Sequence, residues 1–259
     1  AGPRLRLDVI ARDVDTAAFR PGLDGRFSGR LRLAMAPERP LRMEIVELQG
    51  RLMGRPLAGS GVLAYADDTL AFDRLALRAG PNRLNAHGSI GTRLAGRFEF
   101  DLPQLALLWP GLEGRLSGQA TLAGTRLRPV VSLEAQASSL ALDANRVAQA
   151  QLRIQVDRSQ RTDVELVARG IRAGELAVGD LEARVEGTLD AHRLQAGLHG
   201  GPVAVTLASA GRWDGAALRH QLTAAEISAD AAGTWRLAGE PALVLAATQA
   251  EIGAHCWEQ

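Results

Sequence analysis

The sequence predicts an all-β chain: a long curled antiparallel sheet, a trough with an apolar groove and at most a few short helices. Three observations carry this. Apolar residues recur with period two along most of the 259 residues, so successive side chains point to opposite faces. Turn residues return about every 8–12 positions, the spacing of a β-meander of roughly 16–20 strands. Aromatics make up 4% of a chain that is 46% hydrophobic, thin filling for a solid core but suited to a smooth apolar lining.

In chain order, Leu5, Leu7 and Val9 alternate with Arg4, Arg6 and Asp8, and Leu31 and Leu33 alternate with Arg30 and Arg32. Phe98, Phe100 and Leu102 alternate with Glu99 and Asp101, and Leu152, Ile154 and Val156 with Arg153, Gln155 and Asp157. Leu181, Ala183 and Val185 alternate with Glu182, Arg184 and Glu186. Val147–Leu152 admits a helical reading, but its continuation alternates and it is assigned to strand. Ala79-Gly80-Pro81-Asn82 reads as a turn. Gly88, Gly91, Gly170, Gly174, Gly179, Gly187 and Gly200-Gly201-Pro202 read as further joints. Helical signal is confined to Asp13–Phe19 and Leu105–Trp109, a turn or two each.

One phrase occurs twice. Pro21-Gly22-Leu23-Asp24-Gly25-Arg26-Phe27-Ser28-Gly29 returns 89 residues later as Pro110-Gly111-Leu112-Glu113-Gly114-Arg115-Leu116-Ser117-Gly118. Each copy follows one of the two short helical segments, which predicts repeated units near 13–34 and 102–123, each with one plug or bend. The whole of 1–259 reads as a single elongated β-trough segment of a larger protein.

Composition narrows the function. Thirty basic and 29 acidic residues leave a formal charge of +1, against the basic excess that a nucleic-acid partner requires. A single cysteine, Cys256, excludes an internal disulfide framework. No apolar stretch approaches the roughly 20 residues of a membrane-spanning helix.

Catalytic patterns fail one by one. Gly59-x-Gly61-x-x-Ala64 mimics part of a dinucleotide fingerprint, but alternating sequence rather than a helix follows, and a plain turn is the better reading. The five histidines, His87, His192, His199, His220 and His255, show no metal-site spacing and read as surface or strand-face residues. Asp67-Asp68 reads as a hairpin turn, and Glu44 and Glu47 as a solvated face. No Gly-x-Ser-x-Gly elbow is present. Trp109, Trp213, Trp235 and Trp257 read as packing at sheet ends or as lipid contacts. The chain is read as non-enzymatic, with no cofactor and no metal.

This leaves a physical problem. So many strands, about 4.8 Å apart, would span roughly 80–90 Å if laid flat, with one apolar side in water. Such a sheet aggregates unless it closes, splits or curls.

Several phrases resemble the TamB family of AsmA-like, bridge-like lipid transfer proteins. They are Leu105-x-x-Leu108-x-Pro110-Gly111-Leu112-x-Gly114-x-Leu116-x-Gly118, Leu122-x-Gly124 and Pro129-Val130-Val131, with Gly80-Pro81-Asn82-Arg83-Leu84-Asn85-Ala86-His87-Gly88. Arg55-Pro56-Leu57-Ala58-Gly59-Ser60-Gly61, Gly211-Arg212-Trp213-Asp214-Gly215 and His255-Cys256-Trp257 join them. The resemblance implies an interior segment of a periplasmic protein of a Gram-negative bacterium, anchored in the inner membrane, whose sheet folds like a taco around a hydrophobic groove. It implies phospholipid transport between the two membranes. It also implies pairing with an outer-membrane barrel (TamA-like), in a role tied to insertion of outer-membrane proteins such as autotransporters.

Alternation then nominates the residues that line the groove and shield phospholipid acyl chains. In the first half they are Leu31, Leu33, Phe72, Phe98, Phe100, Leu116 and Leu122. In the second they are Leu133, Leu152, Ile154, Val156, Val164 and Leu166, then Val203, Val205, Leu207, Leu243 and Leu245. The alternative is a scaffold whose sheet edges add strands of a barrel partner by β-augmentation.

Overall fold

Alternating sequence becomes strand in the computed structural model, which describes residues 5–18, 24–35, 41–214, 216–230, 232–246 and 248–259. The described residues form nineteen strands and two single turns of 3-10 helix. Residues fall into two units, Ala1–Val131 and Ser132–Gln259.

Unit 1 contains β1 (Leu5–Asp15), β2 (Gly25–Met35), β3 (Leu41–Leu52), β4 (Arg55–Ala66), β5 (Thr69–Ala79), β6 (Asn82–Ile90), β7 (Arg93–Leu102) and β8 (Leu112–Thr125). Each strand pairs antiparallel with the next, from β1 to β8. No described pairing joins β8 back to β1, so this ladder is not a closed barrel.

β9 (Pro129–Leu142) leads into unit 2, which continues with β10 (Asn145–Val156), β11 (Arg161–Ala173), β12 (Leu176–Thr188), β13 (Ala191–His199), β14 (Val203–Trp213) and β15 (Ala217–Ala229). β16 (Gly233–Ala238), β17 (Ala242–Ala246), β18 (Gln249–Ile252) and β19 (Cys256–Glu258) complete it. β9 pairs with β10, and the meander then runs in order to β15. There it forks: one half of β15 pairs with β16, which pairs with β19, and the other with β17, which pairs with β18.

Three strands of unit 1 carry an extra residue. β1 skips Arg12 and Asp13 between the pairs Ala11↔Gly29 and Val14↔Phe27. β3 skips Val46 between Arg30↔Glu47 and Leu31↔Ile45. β5 skips Asp73 and Arg74 between Phe72↔Gly88 and Leu75↔Ala86. Asp13 (φ 53°) and Arg74 (φ 47°) take the left-handed conformation that such bulges use. Followed through the pairings, the bulge moves one cross-strand row further with each second strand. A diagonal line of bulges bends and twists a sheet along that line.

The short helical turns sit at one end of the ladder. Thr16–Ala18 follows β1 and Leu105–Leu107 follows β7, at the end where β3 and β5 also finish. Thr16, Leu105 and Leu107 are buried, beside buried Leu52, Ala79 and Asn82. Asn82 Nδ2 donates to the Gln104 carbonyl at 2.7 Å, and its Oδ1 accepts from the Gln104 N–H at 2.9 Å, which latches the second turn to the sheet. The repeated phrase explains the arrangement. Phe27 and Leu116 fall in one cross-strand row, and Gly29 and Gly118 in the next. Pro21, Gly22 and Leu23 of the first copy, and Phe19 before it, lie outside the described residues.

Candidate functional site

Directly paired residues share a face, so the register traces each row. In unit 1 one row runs Leu7, Leu33, Met43, Leu63, Phe72, Gly88, Gly96 and Leu122. The next includes Val9, Leu31, Ile45, Gly61, then Leu75, Ala86, Phe98 and Ala120. Phe100 pairs with Leu84 and Gly118, and Leu116 with Leu102. All seven predicted positions therefore lie on one face, which is apolar throughout these rows. Phe72 and Phe98, two strands apart, bring their rings to 5.4 Å between centroids. The paired Gly88 and Gly96 leave room for them: a Cβ on Gly96 would stand 3.1 Å from the Phe98 ring, and one on Gly88 (φ 142°) 2.0 Å from the Ala95 oxygen.

Unit 2 repeats the pattern. Leu152 pairs with Leu166, Leu166 with Ala183, Ala183 with Ala196 and Ala196 with Leu207. Ile154, Val164, Val185 and Leu194 form the neighbouring row, and Val205 pairs with Leu198 and Ile227. Val156 pairs with Thr162, Val203 with Ala229, Leu245 with Leu218 and Leu243 with His220. Ser132 and Glu134 meet Gln155 and Arg153 on the polar face. Leu133 between them therefore lies on the apolar one. All eleven predicted positions of this unit share that face.

The opposite faces are polar. Arg32 reaches Asp8 and Glu44 in unit 1, and Arg184 reaches Asp163, Glu165 and Glu186 in unit 2. These carboxylates, Glu186 first, push the Arg184 guanidinium still higher in pKa. Hollows of about 600 and 710 Å³ lie on this polar face of unit 2, over Gly197, Ala208 and Ala210 between longer charged side chains. They are open dips.

The apolar faces are only partly covered. Of the predicted lining, Phe72 and Val156 are buried, Val203 is exposed and the rest are half-buried. Only eleven hydrophobic residues are buried among the described residues. The accessible surface is 16810 Å². A compact 27.5 kDa protein exposes about 11,000 Å², and two separate compact halves about 13,200 Å². The observed surface exceeds even that generous comparison. In unit 1 the two strand ends differ. At the end away from the helical turns, Met35, Leu41, Tyr65, Leu70 and Ile90 form an apolar rim exposed between 39% and 51%.

Two readings, both of glycines, need correction. Gly59 and Gly61 are not a turn but lie inside β4, where their missing side chains admit Leu77 and Leu75. Gly88, Gly170, Gly179 and Gly187 likewise lie within strands rather than at joints. His192 and His220 are buried, and their Nε2 atoms approach to 2.9 Å. Their 28-residue separation hid this; pairing of β13 and β15 with the intervening β14 creates it. Asp67-Asp68 is the β4–β5 turn, with Asp68 accepting from the Tyr65 hydroxyl at 3.0 Å. Trp109, Trp213 and Trp235 are exposed and Trp257 is half-buried. No group of three or more metal-ligating side chains occurs among the described residues.

Residues 3–259 match the family described as "TamB, N-terminal domain". A similar curated protein is the "Translocation and assembly module subunit TamB" of Haemophilus influenzae (strain ATCC 51907 / DSM 11121 / KW20 / Rd), 23% identical over 259 residues. That alignment covers 95% of this chain but 20% of the relative, so the chain spans about a fifth of that protein's length. No solved structure matches. Both unclosed ladders and both apolar faces fall within the family match, and the chain belongs to the TamB family.

Proposed function

We propose that the apolar faces are a non-enzymatic conduit for phospholipid acyl chains, in a periplasmic segment that serves transport between inner and outer membranes. One observation carries this reading: continuous apolar rows cross unclosed ladders and stay half-exposed. Bare apolar surface of that extent needs a guest. Acyl chains gain about 0.8 kcal/mol per CH₂ removed from water, so a two-tailed lipid is held well above thermal energy. Because one row resembles the next, a chain slides without leaving apolar surroundings. The exposed rim of unit 1 is a suitable seam, with the lipid's polar headgroup outside it. No cofactor or energy source acts in this segment.

A second reading rests on a different observation. Among the described residues of unit 1, β1 pairs with β2 alone and exposes Leu5, Leu7, Val9 and Ile10. An open apolar edge suits strand addition by an outer-membrane barrel partner, in keeping with the assembly role in the relative's name.

Organic extraction of detergent-free purified protein, followed by mass spectrometry, separates the two. Conduit function predicts co-purifying phospholipid, lost in Phe100→Asp or Ile154→Asp protein that keeps its β circular-dichroism signal. Folded, soluble, lipid-free wild-type protein would contradict it. The scaffold reading instead predicts tolerance of both substitutions and harm from prolines placed in β1.

A further inference from the structure

At one end of the unit 2 apolar face the lining turns polar. A row crosses Thr162, Gly187, His192, Gly211, His220 and Leu243 in register. Thr162, His192, Ser209 and His220 are all buried. Both imidazoles are bonded at both nitrogens. His192 Nδ1 lies 3.0 Å from the Thr188 carbonyl oxygen, the two Nε2 atoms are 2.9 Å apart, and His220 Nδ1 is 2.8 Å from Ser209 Oγ. Cross-strand glycines make the space. A Cβ on Gly211 would stand 2.6 Å from the His220 ring, and one on Gly187 2.7 Å from His192 Cα.

Proton positions follow from the partners. A carbonyl only accepts, so His192 carries its hydrogen on Nδ1, and its Nε2 accepts. His220 must then donate from Nε2, which leaves its Nδ1 to accept from the Ser209 hydroxyl. The neutral pair thus makes one continuous chain, Ser209 to His220 to His192 to the Thr188 carbonyl, across β15, β14, β13 and the end of β12. A metal ion fits less well, because no third ligating side chain joins the two imidazoles among the described residues.

We propose that His192 and His220 are a proton-operated latch that holds this end of the apolar face when neutral and releases it on acidification. One added proton at His220 Nδ1 reverses the Ser209 bond and places a full charge among apolar side chains. Two leave N–H donors facing each other and end the bond. Burial, then the neighbouring His192, holds the His220 pKa below its ordinary value. Among the described residues no carboxylate stands on this face beside the pair. β11 presents Thr162, β12 Gly187, β14 Ser209 and Gly211, β15 Leu222 and β17 Leu243. Alternation turns Asp163, Glu186, Arg193, Arg212 and Arg219 to the other face, and Asp190 is exposed in the β12–β13 turn. A depressed folded pKa means stability that is complete above the unfolded value and is lost as pH falls through the folded one.

The test needs no lipid. Imidazole ¹H–¹⁵N correlation spectra of the 259-residue chain at about pH 7.5 should show opposite tautomers, Nδ1–H for His192 and Nε2–H for His220. The urea midpoint should fall between about pH 7.5 and pH 5, and His220→Phe should remove about half or more of that fall. Like tautomers on both rings, or a His220→Phe protein as pH-dependent as wild type, would overturn the latch. If the variant does not fold, the wild-type spectra decide alone.

Discussion

Asn82 is among the most buried residues of the chain at 2% exposure, yet it is polar. Its amide is satisfied by both backbone groups of Gln104, so it acts as a staple between β6 and the Leu105–Leu107 turn. Asn82→Ala removes both hydrogen bonds to the Gln104 backbone and should cost about 1–3 kcal/mol, read as a lower urea midpoint. Asp214 works at the surface. Its carboxylate accepts the N–H groups of Ala216 and Ala217 and pairs with Arg219, and in that order these interactions hold its pKa far below the usual carboxylate range. Stability from a depressed carboxylate is present above its unfolded pKa and is lost as pH falls through the folded one. Asp214→Asn should therefore be less stable than wild type at neutral pH, with the gap closing in strong acid. A gap unchanged across an acid urea-titration series would contradict this. Single residues also mark the limit of sequence reading. Glycine looks the same whether it turns the chain or clears space for a neighbour, so Gly59, Gly61 and Gly88 were legible as glycines and not as floor beneath Leu77, Leu75 and Phe72.

Elements were the most legible level. Runs such as Leu152, Ile154 and Val156 declare their face because the strand period is two. The signal fails where the parity changes. In β5 Leu70 and Phe72 face with even numbers, but Leu75 and Leu77 face with odd ones, and Arg74 is the residue that lets both pairs share the apolar side. β15 does the same at Thr223, which keeps Leu222 and Ala225 on one face. A bulge leaves no mark in composition, so the line of bulges and the opposing Leu63, Leu77 and Leu84 were not recoverable from alternation alone. Deleting Arg74 should turn one half of β5 inside out and abolish the cooperative urea transition. Arg74→Ala keeps the extra residue and should stay close to wild type. A deletion variant with a wild-type midpoint would show that the bulge is dispensable.

For the whole molecule, the family and the all-β class were both legible: the first from phrases spread along the chain, the second from alternation and sparse aromatics. The histidine chain was not, because it depends on three strands meeting in one register. Open apolar rows serve lipid passage, and the side of β1 without a partner among the described residues of unit 1 suits barrel assembly. A photo-crosslinking amino acid placed at Phe100 or Ile154, with the paired polar-face controls Glu99 and Gln155, tests the choice in growing cells. The conduit account predicts phospholipid adducts from the two apolar positions and none from the controls. Adducts from all four alike, or protein adducts alone from Phe100 and Ile154, would contradict it.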